Sequence, residues 1–193
     1  MSMDLIKKLR GETGAGINDC HKALAENNND YDQALIWLRK RGEKIAGKKQ
    51  DREIKAGLID SYIHGEGRVG VLLELGCETD FVAKNEDFRN FAHELVLQIA
   101  ATNPQYVAPE DVPAEVIAKE KEIYAEQLKN EGKPAEMIEK ILEGKLNKFY
   151  AEVCLLKQPY IKDDKLTIEK LLTDIIAKIG ENIKIGRFTR YSL

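Results

Sequence analysis

The side chains that commonly perform catalysis are scattered along this sequence rather than grouped. Its three histidines, His21, His64 and His93, fall on separate segments. His64 has no second metal ligand nearby, so a surface histidine is the favoured interpretation. No G-x-S-x-G, HExxH, P-loop or GxGxxG motif is present. The sequence therefore predicts a protein that is not an enzyme and that holds neither a cofactor nor a metal ion.

One glycine-rich turn has the composition of a phosphate-binding loop. Gly14-Ala15-Gly16 opens a predicted helix, and a helix N-terminus can bind an anion. However, no strand precedes this turn and no Gly-Lys-Ser/Thr follows it, as a P-loop requires. We favour a tight turn between helices, in which glycine supplies a positive φ, over direct nucleotide binding.

The strongest recognition chemistry lies in the stretch Thr79–Asn85, which reads TDFVAKN. It follows the best strand pattern of the sequence and precedes a clean amphipathic helix, and such junctions display recognition residues. Asp80 supplies a charge, and Phe81 beside it supplies a large rigid apolar group. Two interpretations of Phe81 stay open from the residues alone: a hydrophobic staple packed against the next helix, or an exposed wedge that a partner buries.

Composition limits the class of protein. The 193 residues are 43% hydrophobic and 33% charged, which suits one or two small domains, and the net charge of -3 argues against direct nucleic-acid binding. No apolar run approaches the ~20 residues of a membrane span, and basic residues interrupt any signal-peptide core near the N-terminus. Cys20, Cys77 and Cys154 form no CxxC pair or disulfide framework. We expect a cytoplasmic protein with reduced thiols and no membrane partner.

The elements that must position these residues begin with three short helices between Met3 and about Gly42. Asp30 is suited to cap the third helix, and Gly42 is expected to end it. A charged connection follows, and because it mixes bases with acids it predicts a solvated linker rather than a nucleic-acid patch. We place the domain boundary here, giving domains of residues 1–54 and 55–193.

At the start of the second domain, the pattern of hydrophobic residues changes from one typical of helices to one typical of strands. Residues 58–64 and 68–75 are rich in branched and aromatic side chains, and Gly65-Glu66-Gly67 joins them, which predicts an antiparallel hairpin. The segment 182–185 alternates as a strand, and this terminal strand should share the sheet, with a bulge near Gly186.

The remaining segments of the second domain predict helices. Asn85 should cap one, Pro113 should lie in the first turn of another, and Gly132-Lys133-Pro134 should turn the chain into a long one. Thr167 should cap the last helix and Gly180 should end it. The predicted fold class is α+β: a three-helix domain joined to a small antiparallel sheet covered by helices, including a helical hairpin.

Two of these segments resemble signatures of the elongation factor Ts family, the nucleotide exchange factors of elongation factor Tu. Glu78–Asn85 is similar to the family's T-D-F-V-A-K signature. Leu9–Leu24 is similar to L-R-x-x-T-G-A-G-x-x-D-C-x-x-A-L. The similarity continues through Ala177–Ile183 and covers nearly the whole chain. The resemblance implies that the N-terminal helices form a ubiquitin-associated-like domain.

The resemblance also implies which residues bind elongation factor Tu. In the family, the matching Asp-Phe pair contacts the GTPase near its nucleotide and Mg²⁺ site, and N-terminal residues bind a different part of the GTPase. The positions of this sequence that match are Thr79, Asp80, Phe81, Val82, Arg10, Ile17 and Asn18.

The sequence departs from the family pattern in three respects. Ile17 and Asn18 stand where members often carry methionines, and Asn85 replaces a common Asp. The chain also has room for one core subdomain where long members hold two. Short members work as homodimers, so we expect a homodimer, with residues 183–191 as a candidate interface. The alternative function is a protein-binding adaptor with a ubiquitin-associated-like module, which would have no reason to carry Thr79–Lys84.

Overall fold

A computed structural model describes residues 3–132 and 134–193 of the chain. Its N-terminal part consists of three helices, and Asp30 caps the third by accepting a hydrogen bond from the Gln33 N–H at 2.9 Å. The turn after the first helix contains Gly14 with a φ of +66°, which confirms the predicted glycine turn. The three helices are α1 Met3–Thr13, α2 Ile17–Glu26 and α3 Tyr31–Gly47.

The prediction that α3 ends at Gly42 is wrong, because the helix continues to Gly47. Gly42 is buried, and a Cβ added to it would lie 3.4 Å from the Cβ of Ala177. This glycine therefore allows α3 to approach a later helix closely, and it does not end the helix.

The sheet has three antiparallel strands in the order β1-β2-β5, where β1 is Ala56–His64, β2 is Val69–Cys77 and β5 is Ile183–Ser192. The hairpin and the shared terminal strand are thus confirmed. Two residues of β5, Gly186 and Arg187, lie opposite Glu74 alone, which confirms the predicted bulge.

Within the described part of the chain, five helices accompany this sheet. Asn85, Thr167 and Gly180 cap or end helices as predicted, whereas Pro113 is the N-cap residue of its helix and precedes the first turn. Lys133, in the turn expected at 132–134, lies outside the described residues. The helices are α4 Asp80–Ala83, α5 Glu86–Thr102, α6 Ala114–Asn130, α7 Ala135–Val153 and α8 Ile168–Ile179.

Smaller elements that the sequence did not reveal complete the chain. They are the 3₁₀ turns Pro109–Asp111 and Leu155–Lys157 and a short hairpin of β3 Pro159–Tyr160 with β4 Asp163–Thr167. Across residues 3–132 and 134–193, no helix combines the length and the apolar character needed to cross a bilayer.

Among the residues that the structure describes, two hydrophobic clusters form the interior. The first fills the N-terminal helices, and the second lies between the inner face of the sheet and helices α5 and α8. The inner face of β2 is lined by Val71, Leu73, Leu75 and Cys77. The α+β class is therefore confirmed, while the division of the chain after residue 54 remains a prediction.

Candidate functional site

The recognition stretch forms a single helical turn, α4, directly after β2. Thr79 is extended and caps the turn, because its Oγ1 accepts a hydrogen bond from the Val82 N–H at 3.4 Å. Asn85 then starts α5 by accepting hydrogen bonds from the backbone N–H groups of Asp87 and Phe88. The chain therefore passes from strand to helix through one isolated turn that carries Asp80 and Phe81.

The structure decides between the two interpretations of Phe81. Its side chain is 87% exposed, so it is a surface group and does not act as a staple against α5. The two residues that follow anchor the turn instead, because Val82 and Ala83 are 9% and 8% exposed and belong to the main core cluster. Asp80 is exposed beside Phe81. No hydrogen bond or ion pair with the described residues engages its carboxylate.

A residue from the far end of the chain holds the cap of this turn. Glu181 accepts a hydrogen bond from the Thr79 N–H at 3.0 Å and a second from the Thr79 hydroxyl at 2.8 Å. Sequence analysis did not find this contact, because the two residues are 102 positions apart. Glu181 does lie within the segment 177–183 that resembles the family, which was the one available signal.

The neighbouring pair, Glu78 and Asn182, connects the same turn to the segment that leaves α3. The Asn182 N–H donates to Glu78 Oε1 at 2.6 Å, and its side-chain amide donates to the carbonyl oxygens of Gln50 and Arg52. The hydrogen bond from Asn182, together with the nearby Arg52 guanidinium, lowers the pKa of Glu78 below its ordinary value of 4.5. Glu78 is therefore held as a carboxylate at neutral pH.

Cys77 lies beneath the turn as a protonated thiol. Its Sγ donates to the Thr79 carbonyl oxygen at 3.2 Å, and the residue is fully buried. Burial raises the pKa of the Cys77 thiol above its ordinary value of 9.0, and the nearby Glu181 carboxylate raises it further. A thiol of this kind packs as a small hydrophobic group and is a poor nucleophile at neutral pH.

The second group of predicted site residues lies around the turn between α1 and α2. Arg10, Ile17 and Asn18 are all exposed there, and Ile17 has 51% of its surface open to solvent. The glycine turn between them packs against the aliphatic chain of Lys178. The Lys178 Nζ in turn lies 2.7 Å from the Asp87 carboxylate at the start of α5.

The structure therefore places the predicted residues in two groups. In the first, at α4, Asp80 and Phe81 are exposed, Thr79 is the half-buried cap and Val82 is buried in the core. The second comprises Arg10, Ile17 and Asn18, which are all exposed. Within the described part of the chain, no cluster of three or more His, Cys, Asp or Glu side chains is arranged to hold a metal ion. Exposed carboxylate, aromatic, amide and guanidinium groups of this kind are suited to contact another protein.

Comparison with known proteins gives one consistent result. A family model described as Elongation factor TS matches residues 4–175. A protein named elongation factor Ts from Carboxydothermus hydrogenoformans is 53% identical over 193 residues, which cover 100% of this chain and 89% of that protein. The protein of that name from Moorella thermoacetica is 54% identical, with 97% of this chain and 93% of the relative covered. The one from Fervidobacterium nodosum is 53% identical, with 100% of this chain and 98% of the relative covered.

Proposed function

This chain belongs to the elongation factor Ts family, translation elongation factors that serve nucleotide exchange on elongation factor Tu, and we propose that it promotes GDP release through Asp80 and Phe81. The observation that carries this proposal is the exposed Phe81 on a turn that is anchored from below by Val82 and Ala83. We infer from the same membership that the chain works in the cytoplasm, where elongation factor Tu takes part in translation.

Exchange of this kind requires no bond chemistry. The factor speeds GDP release when it binds the nucleotide-free GTPase more tightly than the loaded form. Because binding free energies are reciprocal, nucleotide must then weaken the binding of the factor to the same extent. A protein without a catalytic centre can therefore perform this function, and it does so here through contacts of the exposed groups on α4 with the GTPase.

Phe81 is the larger contributor in this mechanism. Burial of a phenylalanine side chain yields roughly 1.5–3 kcal/mol, which corresponds to about tenfold to a hundredfold in an equilibrium constant. That gain is available to the complex because the ring is exposed in the free chain. Asp80 beside it offers a carboxylate, which lowers the free energy of the complex only where donors of the partner replace its water.

The N-terminal group supplies a second contact. Arg10 near the end of α1, and Ile17 and Asn18 at the start of α2, are exposed on either side of the turn between these helices, and we propose that they bind elongation factor Tu at a separate surface. Once one group is bound, the tether raises the effective concentration of the other for its own surface. Loss of the Ile17 side chain should therefore weaken binding, while Phe81 acts mainly on release of the nucleotide.

We also propose that the chain forms a homodimer through the outer face of its sheet. Large apolar side chains that are between 51% and 74% exposed line this face, and they are Ile59, Ile63, Leu72 and Tyr191. The strand register places them together, because Ile63 and Tyr191 both lie opposite Gly70 of the central strand. Two such faces can stack as a sandwich in which each buries the apolar residues of the other.

Size-exclusion chromatography with light scattering at micromolar concentration tests the dimer. The wild-type chain should have the mass of two copies, and Leu72→Lys should shift it to one copy because a lysine would be buried at the interface. Ile161→Lys is a matched control, since Ile161 is 43% exposed and lies outside the sheet. A monomeric wild type, or dissociation by the control alone, contradicts the proposal.

Stopped-flow release of a fluorescent GDP from elongation factor Tu tests the exchange function. The wild-type chain should accelerate GDP release, and the acceleration by Phe81→Ala should be at least tenfold smaller. Ile161→Ala, which also removes an exposed apolar group, should match the wild type. Equal activity of Phe81→Ala and the wild type would remove the wedge role but leave the family function. No acceleration by the wild-type chain would remove the exchange function and favour the adaptor.

A further inference from the structure

The junction between α8 and β5 contacts the turn α4 and the segment that leaves α3. Gly180 is the C-cap of α8, with a φ of +84°, and Ile183 begins β5, so Glu181 and Asn182 connect this cap to the strand. Glu181 reaches the cap of α4, and Asn182 reaches the segment that leaves α3. A contact of Lys49 Nζ with the Gly180 carbonyl oxygen adds a third connection at the same point.

Glu181 binds the cap residue of the short helix α4. A helix of four residues is a single turn, and isolated turns are unstable because nucleation fixes several dihedral angles for one hydrogen bond. The cap of this turn is Thr79, and both Thr79 donors end on the two oxygens of one carboxylate. With its proton directed to Glu181, the Thr79 hydroxyl keeps a lone pair for the Val82 N–H.

Asn182 fixes the position from which Glu181 acts. It is 5% exposed, its backbone N–H donates to Glu78, and its side-chain amide donates to two carbonyl oxygens at 2.8 and 3.2 Å. An amide that is buried and satisfied on both donors holds its backbone in one place. Glu181 is therefore presented to Thr79 from a rigid support.

We infer that Glu181 is a positioning residue for nucleotide exchange: it holds α4 in the conformation that presents Asp80 and Phe81 to the GTPase. This inference rests on the proposed function. Glu181 acts through Thr79, and its loss leaves the N-terminal group able to bind. The maximal rate of GDP release should therefore fall while the half-saturating concentration of the factor changes little.

Stopped-flow titration of elongation factor Tu·GDP with four forms of the chain tests the inference. Glu181→Ala should lower the maximal release rate roughly tenfold, because hydrogen bonds to a charged acceptor are lost. Glu181→Gln should stay within about twofold of the wild type, since the amide oxygen can accept from the Thr79 N–H and the amide N–H can donate to its hydroxyl. Glu169→Ala, which loses an exposed ion pair with Lys157 at the other end of α8, is the control and should match the wild type.

The pattern of the titration separates positioning from simple loss of folded protein. A smaller folded fraction raises the half-saturating concentration and leaves the maximal rate unchanged, so that result for Glu181→Ala overturns the inference. Equal rates for Glu181→Ala and the wild type overturn it as well, as does a Glu181→Gln variant as slow as the alanine. If the wild-type chain itself fails to accelerate release, the proposed function and the inference both fall, whereas the earlier outcomes remove the inference alone.

Hydrogen–deuterium exchange on the free chain gives a second test that needs no GTPase. The N–H groups of Ala83 and Lys84 donate to the carbonyl oxygens of Thr79 and Asp80 within the turn. In Glu181→Ala a peptide spanning α4 should exchange at least tenfold faster, while peptides of α5 should keep their protection. Unchanged protection of α4 overturns the inference even if the variant is slow in exchange.

Discussion

Phe81 and Phe88 belong to the same short region, yet truncating them to alanine should change the free energy of unfolding by very different amounts. Phe81 is 87% exposed, whereas Phe88 is completely buried in the core beneath the sheet. Truncation of a buried phenylalanine to alanine costs about 3–5 kcal/mol, because apolar contacts are lost and a cavity remains. A substitution on the surface usually stays within about 0.5 kcal/mol. We therefore expect Phe88→Ala to lose several kcal/mol of unfolding free energy and Phe81→Ala to lose almost none.

Urea unfolding followed by far-UV circular dichroism, at one protein concentration, measures both changes. With a slope of about 2 kcal/mol per molar urea, the midpoint should fall by about 1.5–2.5 M for Phe88→Ala and by less than about 0.3 M for Phe81→Ala. The fixed concentration matters because a dimer unfolds in a concentration-dependent way. A midpoint shift above about 0.5 M for Phe81→Ala would show that the ring packs as a staple in solution, and the argument for an exposed wedge would be refuted.

The Cys77 thiol should resist iodoacetamide in the native chain near pH 8 and should react once urea unfolds the chain. The reason is that burial, and to a lesser extent the Glu181 carboxylate, raises the pKa of this thiol. Peptide mapping would locate the label, and rapid labelling of Cys77 in the native chain would contradict the prediction. The pKa of Glu78 is lower in the folded chain than its ordinary value of 4.5. Its carboxylate therefore stabilises the fold fully at a pH above 4.5, and this contribution is lost as the pH falls through the lowered pKa. Glu78→Gln should therefore flatten the dependence of the urea midpoint on pH between about 6 and 3, and an unchanged slope would exclude this role. Gly57→Ala should destabilise the hairpin by about 1–3 kcal/mol in urea titrations, because the new Cβ would lie 2.3 Å from the Leu75 carbonyl oxygen; a neutral effect would contradict that packing.

Local signals explain which parts of the fold could be predicted from the sequence. The caps at Asp30, Asn85 and Thr167 were found because a capping side chain binds backbone groups two or three positions away. The hairpin was found because alternation and a glycine turn are both short-range features, and the structure adds positive φ angles at the three residues Gly65 to Gly67. In each case the residue that decides the structure lies within a few positions of the structure it decides.

The predictions that failed or stayed open depended on distant contacts. Gly42 looked like a helix end, but its small size serves the approach of Ala177 on α8. The position of Phe81 could not be decided because a staple and a wedge require the same spacing. Burial of Val82 beside it in the core settles the matter, since adjacent residues on a helical turn point in different directions. Whether α4 contacts the GTPase is not decided by any local pattern and stays a prediction.

The topology of the sheet explains why the end of the chain controls a turn near its middle. In the antiparallel pairing of β2 with β5, Cys77 lies opposite Ile183. The next positions along this register are Glu78 opposite Asn182 and Thr79 opposite Glu181, and these are the pairs joined by side-chain hydrogen bonds. The strand pairing thus continues as side-chain contacts after the strands end. Because a slip of one residue would turn each side chain to the other face, the register that builds the core also brings Glu181 to the cap of α4.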